Sequence, residues 1–302
     1  GSTRRTDDAP STQPDPGEAV GLQAFVSATI NRERMPREIV PGIHWIYEAG
    51  PDRTESWDLA DRNPEWYEPG REAYVPQCAY LVDGGEETLL FDTLSPASTD
   101  QILATIDDLV GDRGLDYLVV SHPDVPHAGN TLAILEEHPE ATLVAPEYGN
   151  DHELYHLDEG LHVDAGDELD LGDRTVKFHE ATFLDSPVSV WMTEETTETL
   201  FPVDWMGFIH LDEEKLRFVD ELDGEFDRSR LVEFHGRVLF WYQYIDVEKT
   251  NAEIDNLVRR FDPEIVAPAH GLVIREDATE YMAMMKEVTR TIDGQERIGT
   301  LG

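Results

Sequence analysis

Two histidines and an aspartate fall within six residues, in the segment HPDVPHAGN that follows the apolar run DYLVVS. Imidazole nitrogens and carboxylate oxygens are ligands that zinc, iron and manganese take in proteins. On an extended segment His122 and Asp124 face the same side, and His127, at the start of a predicted helix, can turn back toward them. The spacing predicts part of a metal site, although such residues are also common in surface turns.

Two further polar residues each end an apolar segment. Asp204 closes ETLFPVD, and His270 closes EIVAPAH. Ligands of a shared site commonly lie at strand ends, where a rigid sheet meets its loops. Either position alone is more commonly a hydrogen-bonded strand-end residue. Together with the first cluster they predict one site assembled from several strand ends.

The elements that would position these residues alternate in each half of the chain. Runs rich in β-branched and aromatic residues between turn residues predict strands, and helical apolar spacing predicts helices. The predicted strands are 38–48, 76–84, 87–93, 116–121, 141–146, 174–181, 188–193, 198–204 and 264–269; the predicted helices are 97–110, a segment from 129, 228–245, 250–261 and 278–292. This order predicts the α+β class, with two packed mixed sheets and helices outside. We expect a single domain over residues 35–302, preceded by a disordered acidic tail over residues 1–34 with a short helix at 19–31.

The whole arrangement resembles the metallo-β-lactamase superfamily, and most closely the β-lactamase-like domain of flavodiiron and related oxygen-binding diiron proteins. The matching segments are PGIHWIYEAG, YVPQCAYLVDGGEETLLFDTL, the stretch from DAGDELDLGD to SPVSVWM, TLFPVDWMG and IVAPAHG, within residues 38 to 290. The resemblance implies an αββα sandwich and a site for two metal ions bridged by an aspartate.

The resemblance also identifies where the ligand set departs from the family. It implies His122, Asp124, His127, Asp204 and His270 as metal ligands. Pro126 and Leu184 occupy the two other ligand positions, and each of the two metals loses one donor by this count. Asp185 and His210 could each replace a missing donor. We interpret Asp185 as a turn residue, however, and His210 as a solvated histidine. Asp92 resembles the aspartate that supports the ligand loop by hydrogen bonds.

Three functional hypotheses remain open. In the first, one ion is held by His127, Asp204 and His270, a set that suits iron, with zinc or manganese as alternatives, and O2 or a small molecule binds there. In the second, the metal activates water for hydrolysis of an ester, thioester or amide, with Asp124 as the catalytic base. In the third, the site is empty and the fold is a non-catalytic module. The sequence therefore does not decide whether the protein is an enzyme. If it is one, both an oxidoreductase and a hydrolase fit the residues.

The amino-acid composition restricts the kinds of partner that we expect. Lys and Arg number 23 and Asp and Glu 64, which gives a net charge of −41 spread along the chain. This predicts a halophilic, acidic cytoplasmic protein with no nucleic-acid or membrane partner. Cys78 is the single cysteine, so it forms no intrachain disulfide. We also expect no flavin on this chain, a separate electron donor if the chemistry is redox, and, from the resemblance, a homodimer.

Overall fold

The computed structural model describes residues 35–48, 67–68, 70–147 and 160–295. The predicted acidic tail, residues 1–34, lies outside the described residues, and the domain division stays a prediction. Within the part that is described, no helix has the length and apolar character needed to cross a membrane.

The described residues contain fourteen strands and six α-helices. The strands are β1 (Arg37–Val40), β2 (Ile43–Glu48), β3 (Ala73–Tyr74), β4 (Gln77–Asp83), β5 (Thr88–Phe91), β6 (Tyr117–Val119), β7 (Thr142–Pro146), β8 (Leu161–Val163), β9 (Glu168–Asp170), β10 (Thr175–Glu180), β11 (Val190–Glu194), β12 (Thr199–Phe201), β13 (His210–Leu211) and β14 (Ile265–Val266). The helices are α1 (Thr99–Val110), α2 (Val125–Ala128), α3 (Thr131–Glu137), α4 (Ser229–His235), α5 (Val247–Phe261) and α6 (Ala278–Asp293).

Two mixed sheets organise the fold. The first runs in the order β1-β2-β4-β5-β6-β7-β8; its first four strands pair antiparallel and β5 to β8 pair parallel. The second runs β14-β12-β11-β10-β9, with one parallel pair between β12 and β14. A small pair of β3 and β13 lies apart from both. In the parallel pairs, successive strand ends lie at the same edge of the sheet.

The inner strands of the first sheet, such as β4 and β5, bury both of their faces. On β4, Tyr80 and Val82 point into the large core cluster shared with the second sheet, whereas Ala79 and Leu81 point into a smaller cluster. Residues of α1, such as Ile106, close that smaller cluster. The alternation follows from the two-residue period of a strand, and burial on both faces explains the near-continuous apolar runs.

The second sheet completes the sandwich. Its inner residues, among them Phe178 and Phe201, join the large core cluster, and side chains of α5 and α6 belong to that cluster too. Helices therefore flank both sheets, and the predicted αββα sandwich is confirmed.

One predicted helix is broken. The segment 228–245 forms α4, which ends at His235, and a separate 3-10 turn, Phe240–Tyr244. Gly236 follows α4 directly, and glycine is a weak helix former because it gives up the most backbone freedom. The break allows the end of α4 to pack against the loop that carries Asp204.

Candidate metal centre

Four candidate ligands lie just beyond the carboxyl ends of strands. His122 follows β6, and His127 lies in the short helix α2 three residues further on from Asp124. Asp204 follows β12, and His270 follows β14, the parallel neighbour of β12. The prediction that these strand ends meet is confirmed, because the ligand atoms of His122, His127 and Asp204 all lie within 4.8 Å of one another.

Asp204 is the centre of the cluster. Its Oδ2 lies 3.0 Å from Nε2 of His122. Its Oδ1 lies 3.4 Å from Nε2 of His127 and 3.1 Å from Nε2 of His270. The two oxygens of one carboxylate thus face different imidazoles. We call His127, His270 and Asp204 Oδ1 the imidazole-rich half-site.

These separations fit a shared metal ion. Two donors that each lie about 2.1 Å from one ion, at angles between right-angled and tetrahedral, are about 3.0–3.4 Å apart. The distances from Asp204 Oδ1 to the two imidazoles fall in that interval. Asp204 Oδ1 could therefore share an ion with either imidazole. His270 is not among the three residues whose ligand atoms all lie within 4.8 Å of one another, so an ion that contacts all three donors requires some movement of the side chains.

Hydrogen bonds fix the ring of His127 so that Nε2 faces the site. Its Nδ1 donates to Oδ2 of Asp92 over 2.6 Å. Asp92 also accepts hydrogen bonds from the backbone nitrogen and the hydroxyl of Ser121. The carbonyl of His127 accepts from both the backbone nitrogen and the hydroxyl of Thr93. The predicted supporting role of Asp92 is confirmed, and such a partner sets the tautomer of a ligand.

The ring of His270 is oriented in the same manner by the backbone. Its Nδ1 lies 2.8 Å from the carbonyl oxygen of Pro76. A carbonyl can only accept, so Nδ1 donates to it, and Nε2 faces Asp204. No pattern in the sequence indicates this partner, because it comes from the backbone of a distant loop.

Burial and opposite charge shape the electrostatics of the cluster. Burial alone would raise the pKa of Asp204, but His122 and His127 outweigh it and hold that pKa well below its usual range. Burial alone would lower the pKa of His127, but Asp92 and Asp204 raise it well above its usual range. The neighbouring opposite charges therefore favour the charged forms of both groups, and a metal ion bound at His127 would compete with its proton.

Comparison with known proteins places this site in a family. A family model described as "ODP family beta lactamase" matches residues 75–271, more than half of the 302 residues and all of the ligand candidates. The chain belongs to this ODP β-lactamase family.

Its relatives include redox proteins. The rubredoxin-oxygen oxidoreductase of Megalodesulfovibrio gigas is 28% identical over 65% of this chain and 48% of its own length. The nitric oxide reductase of Moorella thermoacetica is 27% identical over 80% of this chain and 58% of its own. The flavodiiron protein of Giardia intestinalis has the same fold, with a TM-score of 0.65 at 20% identity over 85% of this chain and 60% of that one. The chain spans about half of the length of the relatives it matches.

Asp124, the fifth predicted metal ligand, lies apart from the other four. It precedes α2 as its N-cap residue and its side chain is exposed, whereas His122 and His127 on either side of it are buried. It does not belong to the group of three ligand atoms around Asp204. Its roles as ligand and as catalytic base stay predictions.

The two positions that depart from the family's ligand pattern carry no donor. Pro126 lies inside α2, and the side chain of Leu184 packs against the large core cluster. The carbonyl of Leu184 accepts a hydrogen bond of 2.9 Å from the indole nitrogen of Trp241. The Leu184 backbone is thus anchored with its side chain in apolar surroundings.

Asp185 lies closer to the centre than the sequence indicated. It occupies a bend before β11, as expected of a turn residue, but its Oδ1 lies 3.8 Å from Nε2 of His122. Burial and the charge of Asp204 raise the pKa of Asp185 to about 6. The position of this carboxylate depends on a loop conformation that residue types alone do not specify.

His210 is not solvated, so that prediction was wrong. It is fully buried, with Nε2 2.7 Å from the hydroxyl of Tyr47 and Nδ1 donating to the carbonyl of Leu211. Its ring stacks on Tyr74, because β13 pairs with β3. Both ring nitrogens are engaged outside the metal centre, so His210 does not complete it.

His235 braces the loop of Asp204, a role that the sequence did not reveal. Its Nε2 accepts from the backbone nitrogen of Met206 over 3.3 Å, and its Nδ1 donates to Leu231 at the preceding turn of α4. Val203 and Met206, on either side of Asp204, have positive φ angles of 57° and 69°. Such backbone is unfavourable for branched or long side chains and persists where neighbouring contacts hold it.

Proposed function

We propose that this domain binds an iron ion in the imidazole-rich half-site. We propose further that O2 or another small diatomic molecule binds to this iron and is reduced there. The observation that carries the proposal is the approach of two imidazole Nε2 atoms to one oxygen of Asp204, at 3.4 and 3.1 Å. Two histidines and one carboxylate with open positions suit non-haem iron(II).

The names of the relatives support the class of substrate. One is a rubredoxin-oxygen oxidoreductase and another a nitric oxide reductase. By analogy, O2 or NO is the proposed substrate, and a separate protein is the proposed electron donor. Because the chain spans about half of those proteins, donor and substrate are both proposals for this chain.

The protein's own groups would position and insulate this chemistry. Iron, when bound, supplies one-electron chemistry toward O2 or NO. Asp92 holds the Nδ1 proton of His127, and the carbonyl of Pro76 holds that of His270, so both rings keep Nε2 toward the site. His127 and Asp204 are nearly inaccessible to water, which strengthens electrostatic interactions inside the centre.

The decisive measurement is the iron content of protein purified without oxygen. We expect about one tightly bound ion per chain, and we expect His270→Ala to abolish it, since the half-site retains only one imidazole. His162→Ala is the matched control, because His162 is half-buried beside Glu147 and lies outside the centre.

Two outcomes would contradict the proposal. Wild-type protein that binds neither iron, zinc nor manganese would indicate a non-catalytic module. Iron-loaded protein that, with a chemical reductant, consumes O2 or NO no faster than His270→Ala would remove the oxidoreductase assignment.

A further inference from the structure

We infer that Tyr47 and His210 form a redox-active pair that supplies one electron to the metal centre, with His210 as the acceptor of the phenolic proton. Both side chains are buried in the core, and neither belongs to the set of candidate ligands. The inference rests on the proposed function, because its oxidant is partly reduced oxygen at the iron.

The hydrogen bond between the two side chains has a defined direction. The hydroxyl of Tyr47 lies 2.7 Å from Nε2 of His210. Nδ1 of the same ring donates to the carbonyl oxygen of Leu211 over 2.8 Å. Burial lowers the pKa of His210 to about 4, so near neutral pH the ring has a single proton. That proton lies on Nδ1, and Nε2 therefore accepts from the phenol.

The surroundings of Tyr47 couple the loss of an electron to the loss of its proton. Burial raises the pKa of Tyr47, so the hydroxyl stays protonated before oxidation. Removal of an electron makes a phenol strongly acidic, and the lone pair of His210 takes the proton along the existing hydrogen bond. The product is a neutral phenoxyl radical beside an imidazolium, which avoids the cost of an unpaired charge on the buried phenol.

A short path joins Tyr47 to the ligand His270. Tyr47 on β2 lies opposite Cys78 on β4, and the Cα atoms of such an antiparallel pair are about 4.5–5.5 Å apart. The backbone nitrogen of Cys78 donates to the carbonyl of Ala269 over 2.9 Å, and its thiol lies 3.5 Å from the carbonyl oxygen of Gly271. Cys78 thus contacts the chain on both sides of His270. Because electron tunnelling weakens steeply with distance, this path favours Tyr47 as the donor.

The other buried tyrosines among the described residues do not donate to an imidazole. Tyr80 donates to a backbone carbonyl, which is too weak a base to take a proton, and the hydroxyl of Tyr242 has no hydrogen-bond partner in that part of the chain. Tyr74 donates to the exposed carboxylate of Glu72, but the ammonium of Lys215 lies 4.0 Å from the centre of its ring. A cation over the ring opposes the removal of an electron from it.

One electron and one proton move in the proposed step. The electron passes from Tyr47 to the centre, where oxygen that has received too few electrons is reduced by one. The O–H bond of Tyr47 breaks, and an N–H bond forms at Nε2 of His210. One electron from the separate donor protein later reduces the phenoxyl radical, and the proton returns from His210. The pair is thus an electron reserve for the reduction of O2.

The first test mixes iron-loaded protein with hydrogen peroxide and records freeze-quenched samples by electron paramagnetic resonance. We expect a tyrosyl signal in the wild type and its loss in Tyr47→Phe. His210→Gln should form the signal at least about tenfold more slowly, because glutamine accepts a hydrogen bond but not a proton. Tyr242→Phe is the matched control, since it removes a buried hydroxyl that has no base beside it, and it should keep the wild-type signal.

The second test needs no iron. Metal-free protein is oxidised by ruthenium(III) tris(bipyridine) generated by a light flash, and the radical that persists on freezing is recorded. We expect the same tyrosyl signal, again lost in Tyr47→Phe, because an oxidising equivalent migrates to the side chain that is easiest to oxidise. Its formation should be slower in D2O in the wild type but not in His210→Gln.

The outcomes separate this inference from the proposed function. If iron binds but peroxide gives no tyrosyl signal, or one that Tyr47→Phe retains, the inference is overturned and the proposed function stands. If no iron binds, the proposed function fails, and a flash-generated signal that survives in Tyr47→Phe overturns the redox-active pair as well. Thermal unfolding of each variant, compared with the wild type, shows whether a lost signal reflects a lost fold.

Discussion

Single side chains in this centre differ in the kind of contact that orients them. His127 is held by another side chain, the carboxylate of Asp92, at 2.6 Å, whereas His270 is held by a backbone carbonyl at 2.8 Å. A carboxylate partner raises the basicity of a ligand imidazole more than a neutral carbonyl does. If both imidazoles bound one ion, they would therefore be unequal donors, with His127 the stronger.

The buried histidine His210 makes stability depend on pH. Burial lowers its pKa to about 4, against about 6.5 in the unfolded chain. Below about pH 6.5 the unfolded chain takes up a proton that the folded protein does not, so stability falls as the pH drops toward 4. We expect His210→Gln to reduce this slope by up to about 1.4 kcal/mol per pH unit.

The measurement is denaturant unfolding of metal-free protein at several pH values in constant salt. The slopes are compared, because loss of the contact with Tyr47 also changes stability at neutral pH. His162→Gln, at a half-buried position, serves as the control and should keep the wild-type slope. Identical slopes in His210→Gln and the wild type would show that folding does not lower the pKa of His210.

At the residue scale, the sequence predicted the positions of the side chains that lie just beyond the ends of strands. His122, Asp204 and His270 each follow a recognisable apolar run within a few residues, so their approach to one another followed from the sheet. The orientation of Asp185 and the burial of His210 were missed. The first depends on a loop rotamer, and the second on a two-residue strand whose pairing involves residues more than a hundred positions apart.

At the scale of elements, the helix α4 positions the loop of Asp204 from behind. Phe234 and His235 at its end both contact that loop. A Cβ atom at Gly207 would lie 2.4 Å from the ring of Phe234, which is fully buried and closely surrounded. Only a residue without a side chain fits between the loop and the helix.

Gly207→Ala should therefore separate the loop from α4. We expect a loss of about 1–3 kcal/mol in the free energy of unfolding, typical of overpacking, together with weaker metal binding because Asp204 moves. Denaturant unfolding and a competition titration with a chromophoric chelator measure the two effects. Gly294→Ala is the control, since its nearest neighbour would lie at an ordinary 3.4 Å. A Gly207→Ala protein with wild-type stability and affinity would show that Phe234 can move aside.

Elements with strong periodicity were predictable, and the helix boundary at α4 was not. The apolar run at 76–84 predicted a strand, and β4 occupies Gln77–Asp83. By contrast, residues 228–245 have helical spacing throughout, yet the chain breaks after His235. The contacts of His235 and Phe234 with a loop far along the chain favour the break, and such contacts are not visible in local sequence.

At the scale of the whole molecule, the net charge of −41 opposes compaction. Pairs such as Arg174 with Glu194 and Arg230 with Glu214 neutralise a small part of it. Raising the salt concentration shortens the screening length from about 10 Å at 0.1 M to about 3 Å at 1 M and weakens the remaining repulsion.

We therefore expect the melting temperature to rise steeply between about 0.1 and 3 M KCl, over which range surface repulsion becomes fully screened. Each kcal/mol gained should appear as about 2–4 °C. Differential scanning calorimetry of metal-free protein measures the effect without a contribution from ion binding. A flat melting temperature over this range would contradict the salt-adapted interpretation.

The side chains of the centre also differ in their exposure to solvent, and this difference bears on how fast an ion would exchange. Side-chain exposure rises from 0% at His122 and 1% at His127 to 10% at His270 and 21% at Asp185. Water therefore reaches the cluster from the rim formed by Asp185 and His270. An ion that bound here would shed its hydration shell at this rim first and would regain it there on leaving. The buried rings would then govern how tightly the ion is held, and the rim would govern how fast it exchanges.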